Sequence, residues 1–229
     1  MRNNRKVSIV FAIILALTIN TNIAFANGSE TKFLTPQFVE KAEYSLEKDS
    51  SGKTVIILTD VEPLNSRANS DTNHFSKTSV AILPSSEKET AKIIENTKTL
   101  RRGSGSYTDH DWFYGSSGYL TSTVNYFTEV GSDGLTYGGI TNVTISSSTN
   151  SGTSISSMTL SMGQLGWREG GGYANQQTSF NAITARSFSA PSSWGYVLWD
   201  GSGDVGANLE CTAERQGGQS TFTLYNSVQ

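Results

Sequence analysis

The chain has 229 residues, 36% hydrophobic and 16% charged, with a formal net charge of −3 and one cysteine. That length allows a full apolar core, and a lone cysteine excludes an intramolecular disulfide, so the chain is not a small bridge-stapled scaffold. The acidic balance disfavours nucleic acid and anionic membrane surfaces as partners, because their phosphates repel a net-negative protein.

Residues 1–26 carry the three regions of an export signal. Arg2, Arg5 and Lys6 give the positive start, and residues 7–19 form an apolar run of 13, shorter than a membrane span needs. Ala24-Phe25-Ala26 is a small-x-small site, which places cleavage after Ala26 and makes Asn27 the mature N-terminus. The expected location is extracellular, with no stable membrane insertion once the signal is removed. The mature chain carries 14 basic and 20 acidic side chains.

Residues 27–102 read as a small, partly ordered α/β segment that resembles a leader or pro-segment. Thr35 before Pro36 is an N-cap followed by proline at the first helical position. Ser86-Glu87-Lys88-Glu89 has the form of a capping box, which starts a second helix. Residues 54–58 and 78–83 are the two predicted strands, with a polar turn over 65–73.

A composition break follows. Twenty of the 22 glycines lie at or beyond Gly103, and no lysine occurs after Lys98. Residues 103–107 read as a Gly/Ser linker. Arg101 and Arg102 before it form a dibasic pair, which is a target for trypsin-like processing or a basic end to the second helix.

Residues 108–229 alternate apolar and polar positions between turn signals, the mark of half-buried strands. Strands are expected near 120–130, 140–146, 156–162, 179–188, 195–199, 205–213 and 221–225. Turns are expected at Gly131-Ser132-Asp133-Gly134, at Gly170-Gly171-Gly172 and at Asp200-Gly201-Ser202-Gly203. The predicted fold is therefore mainly β: an antiparallel β-sandwich over residues 108–229 behind the leader-like segment. Cys211 alternates with Leu209 and Ala213, which predicts a buried thiol.

The stretches Gly163-Gln164-Leu165-Gly166, Phe188-Ser189, Val205-Gly206-Ala207 and Phe222-Thr223-Leu224-Tyr225-Asn226 resemble a group of small, uncharacterised secreted proteins of Gram-positive bacteria. The resemblance implies an exported β-sandwich and carries no activity with it.

No catalytic residue, metal site or cofactor is assigned. His110, between Asp109 and Asp111, is the only histidine of the β region, and a serine hydrolase there would have no other imidazole base. Asp200-Gly-Ser-Gly-Asp204 starts like a calcium loop, but Val205 and Cys211 stand where an EF-hand needs glycine and glutamate. Aromatic residues carry the stronger signal. Trp112, Tyr114, Trp167, Tyr173 and Trp194 sit among Gly, Ser, Asn and Gln, the mixture a sugar-binding surface uses. Rings stack on apolar sugar faces while amides and hydroxyls bond the sugar oxygens. The expected activity is binding of a cell-wall polysaccharide or an extracellular protein. Two further readings stay open: a bacteriocin- or toxin-like protein released near Arg102, and a secreted hydrolase.

Overall fold

The computed structural model describes residues 35–64, 72–102, 118–150, 152–181, 186–215 and 217–229. The export signal with Ala26, the linker, His110, Trp112 and Tyr114 lie outside the described residues.

The two predicted helices start where their caps place them. In α1 (Pro36–Lys41) the Thr35 hydroxyl accepts the Phe38 N–H at 3.2 Å. In α2 (Glu87–Arg101) the Ser86 hydroxyl accepts the Glu89 N–H at 3.2 Å. Glu89 reaches back one residue further than a capping box requires, accepting the Ser85 N–H at 2.9 Å.

Among the described residues eleven strands build two antiparallel sheets. The first contains β1 (Glu43–Lys48), β2 (Thr54–Leu64), β3 (Thr72–Leu83), β4 (Gly118–Val130), β5 (Thr136–Ser148) and β8 (Arg186–Ser189), in that order. A short β9 (Val197–Leu198) also pairs with β5. The second runs β11 (Gly218–Ser227), β10 (Asp204–Arg215), β6 (Thr153–Trp167), β7 (Tyr173–Asn181). The stretch expected as one strand over 179–188 is two. Its first part ends β7 in the second sheet, and its last part forms β8 in the first.

The sheet runs straight across the composition break. β3 pairs with β4 from Thr72 opposite Glu129 to Leu83 opposite Gly118. Residues 35–102 and 118–229 thus share one sheet, where composition suggests a marginal segment beside a self-contained unit. The physical reason lies in β2 and β3. Val55, Ile56, Ile57 and Leu58 are buried in succession, as are Val80, Ala81, Ile82 and Leu83. A run without alternation needs cover on both faces. One face (Val55, Ile57, Ala81, Leu83) joins the core shared with Leu120, Val143, Leu160, Leu209 and Phe222. The other (Ile56, Leu58, Val80, Ile82) packs with Val39 and Ala42 of the α1 region and with Ile93 and Leu100 of α2. Burying each such side chain contributes roughly 1.5–3 kcal/mol.

The second sheet alternates, with one break in β6 where Ser156 and Ser157 are both exposed beside the register shift at Thr212–Ala213. Val205, Ala207, Leu209, Cys211 and Ala213 point inward along β10, and Phe222 and Leu224 do so along β11. Burial pushes the Cys211 thiol up to about 12.

The inward stripe of β10 ends on a charge. Arg215 is fully buried and its Nη2 lies 2.8 Å from Asp49 Oδ2. Nη1 donates to the Thr54 carbonyl at 2.9 Å and the Pro84 carbonyl at 3.1 Å. Burial alone would raise the Asp49 pKa. Hydrogen bonds from Ser220, Arg215, Ser51 and Lys53 outweigh it and hold the carboxyl well below the usual range.

A side chain also joins the sheets at the β5 edge. β8 pairs with residues 142–145 and β9 with residues 137–138. In the gap between them the Ile140 N–H donates to Gln164 Oε1 at 3.1 Å, and Gln164 Nε2 donates to the Gly195 carbonyl at 2.7 Å.

Candidate functional site

The outward face of the second sheet is assembled from the polar half of its alternating strands. Register aligns it in rows. Trp167 stands opposite Tyr173, and Leu165 between Asp204 and Asn175. Gly163 lies between Gly206 and Gln177, with Ser227 beyond. Ser161 lies between Asn208 and Ser179, with Tyr225 beyond.

The paired glycines leave a bare strip in the middle of this face. A concavity of about 140 Å³ opens there, bordered by Ser161, Gln177, Ser179, Asp204, Asn208 and Ser227. Gly206 is required by close approach: a β-carbon would lie 2.6 Å from both the Asn226 carbonyl oxygen and Ser227 Cα. At Gly163 it would lie 3.1 Å from the Gln176 carbonyl oxygen and Gln177 Cγ.

Around the concavity, hydroxyls and amides are held by short bonds. Ser161 Oγ and Ser179 Oγ are 2.8 Å apart, and Gln177 Nε2 donates to Asn175 Oδ1 at 2.7 Å. Asp204, Glu210 and Glu214 are the charged residues of this face, and among the described residues no lysine or arginine stands on it. The face is therefore rich in donors and acceptors, locally negative, and floored by backbone.

Aromatic rings stand at both ends. Tyr225 is 65% exposed. Trp167 and Tyr173 are each 54% exposed and meet edge to face, with centroids 5.6 Å apart at 87°. Trp167 is six residues from Ser161 along β6, so the rings bracket roughly 20 Å of face.

The Trp167–Tyr173 hairpin is fixed by its turn. Gly170, Gly171 and Gly172 have φ of +76°, +96° and +90°, a left-handed run that glycine alone adopts without strain. Glu169 Oε1 accepts the Ser132 N–H at 2.6 Å and the Ser132 hydroxyl at 2.7 Å, tying this turn to the β4–β5 turn. Beside it the Tyr137 hydroxyl donates to Asp133 at 2.7 Å, and that bond is the main cause of a phenol pKa pushed up to about 12.

Of the predicted ligand residues, Trp167 and Tyr173 come together on this face. Trp194 does not join them: half-buried, it packs against the shared core beyond the Pro191 turn. Tyr225 and Asn208 were not singled out by the sequence. Their signal is the outward phase of alternating strands, which any solvated sheet shares. Asp200 accepts from Ser202 N at 2.8 Å and Ser202 Oγ at 2.5 Å, so it is engaged in its own turn. Among the described residues no group of three His, Cys, Asp or Glu is placed to hold a metal ion. No described helix is long and apolar enough to cross a membrane. Arg101 and Arg102 are exposed at the end of α2.

The same end of the molecule gathers most exposed apolar bulk. Leu64, Val130, Leu135, Trp167, Tyr173 and Tyr196 flank its turns and are six of the nine large apolar side chains exposed among the described residues.

No family model, curated protein or solved structure matches this chain.

Proposed function

We propose that the chain is an exported β-sandwich protein that acts by binding, and that its ligand is a wall polysaccharide laid along the outward face of the four-stranded sheet. The observation that carries this reading is the glycine-floored strip between Trp167–Tyr173 and Tyr225, lined by Ser161, Gln177, Ser179 and Asn208. Bare backbone admits a flat sugar ring, the amides and hydroxyls match its oxygens, and the terminal aromatics offer stacking faces. The carboxylates of the face favour a polymer without negative charge.

The test is retention on insoluble wall polysaccharide and on neutral glucan and chitin. Wild type is expected to be retained, with Trp167→Ala and Tyr225→Ala each weakening affinity about tenfold while the fold stays intact. Failure to bind any of these polymers, or equal binding by both variants, would end the reading.

A protein ligand is the second reading, favoured by the apolar side chains gathered at the turn end. It predicts loss of a binding partner in Val130→Ser/Leu135→Ser with polysaccharide retention unchanged, a split read directly in the same assay.

A further inference from the structure

We infer that hydrolysis at the Arg101–Arg102 pair makes this protein two-chained, with residues 27–102 kept as a clasped subunit and not released as a leader. Both arginines are exposed, Arg101 as the last residue of α2 and Arg102 as its C-cap, where a helix frays most easily. A trypsin-class protease would add one water across the bond after Arg101 or Arg102, leaving an arginine carboxylate and a new ammonium terminus.

Nothing that holds the two parts together depends on that bond. β3 and β4 pair along twelve residues of each strand. Val55, Ile57, Ala81 and Leu83 lie in the same core as Leu120, Leu209 and Phe222. Among the described residues the Arg215 guanidinium finds its partners before the cut: Asp49 at 2.8 Å, Thr54 O at 2.9 Å and Pro84 O at 3.1 Å. Lys53 Nζ donates back to the Arg215 carbonyl at 2.5 Å, and the Ser50 N–H donates to the Thr221 carbonyl at 3.0 Å. Asn226 Nδ2 bridges the Lys77 carbonyl at 3.2 Å and the Ser122 carbonyl at 2.8 Å.

Departure of the first piece would strand a buried arginine and open a long unpaired edge on β4, and both outcomes are strongly unfavourable. The partner that the β4 edge fits is therefore the chain's own N-terminal part.

Brief trypsin treatment of the full-length protein tests this, with cut sites located by mass spectrometry. The nicked protein is then run on size exclusion in native buffer and in rising urea. Pieces meeting at Arg101 or Arg102 should co-elute at the intact volume and part only in urea. Arg101→Ala/Arg102→Ala should stay uncut there, and nicked Asp49→Asn should part at a lower urea concentration than nicked wild type. Separation of nicked wild type in native buffer overturns the inference. So does resistance at Arg101 and Arg102 while other basic residues are cut.

Discussion

The strands β2 and β3 and the strands β6 and β10 solve opposite problems with similar lengths of chain. Residues 55–58 of β2 and 80–83 of β3 are buried on both faces, between helices and the second sheet, and these stretches run apolar without a break. β6 and β10 bury one face and alternate, apart from the register shift that leaves Ser156 and Ser157 both exposed. The lesson is that lost alternation announces a third layer, whereas kept alternation announces a free face. A free face is where binding chemistry can be placed without disturbing the core.

The largest expected break in this comparison lies at the junction of its two regions. Asp49→Asn removes the charge facing Arg215 and should cost about 3–5 kcal/mol, read from the urea midpoint. Asp49→Leu/Arg215→Met should recover most of it, because a packed apolar pair tolerates burial better than a lone charge. The folded Asp49 carboxyl titrates below its unfolded value near pH 4, so its contribution is full above that value and drains as pH falls below it. The gap between wild type and Asp49→Asn should accordingly narrow on acidification. A gap constant from pH 7 to pH 2 would contradict this.

Next comes the doubly buried region. Ile82→Ala should cost about 2–5 kcal/mol through the cavity left under the helices. A smaller loss, about 1 kcal/mol, is expected for Ser86→Ala at the cap of α2. Smallest in stability is Tyr225→Ala on the free face, expected within about 0.5 kcal/mol in denaturant, although under the proposed function it should weaken polysaccharide retention. If Tyr225→Ala proved as destabilising as Ile82→Ala, the distinction between covered and open faces would fail.

Local signals in the sequence were legible where neighbours decide the outcome. Thr35 and Ser86 cap their helices, Gly170 to Gly172 turn the β6–β7 hairpin, and Cys211 is buried as its alternation predicts. Long-range placement was not. Lysine and glutamate crowd the first part of the chain because its helices and edge strand face solvent, and that colouring hides the membership of its two predicted strands in the main sheet. Asp49 and Arg215 meet across 166 positions, and Gly163 meets Gly206 only through strand register. The end of β7 and the start of β8 read as one strand because both are short and polar between isolated aromatics, so no breaker marks the change of sheet. For the candidate face, Trp167 and Tyr173 were legible together, whereas Trp194 stands apart at the rim of the core, a position its half-apolar surroundings suit equally well.

Glu169 bridging to Ser132 means that the turn carrying Trp167 and Tyr173 is moored to the neighbouring sheet before any ligand arrives. For the polysaccharide binding proposed above, a ring pair held in place beforehand would spend little freedom on capture, so its contacts would go almost wholly into dwell time. Glu169→Gln, which loosens that mooring without touching either ring, should shorten residence on the polymer.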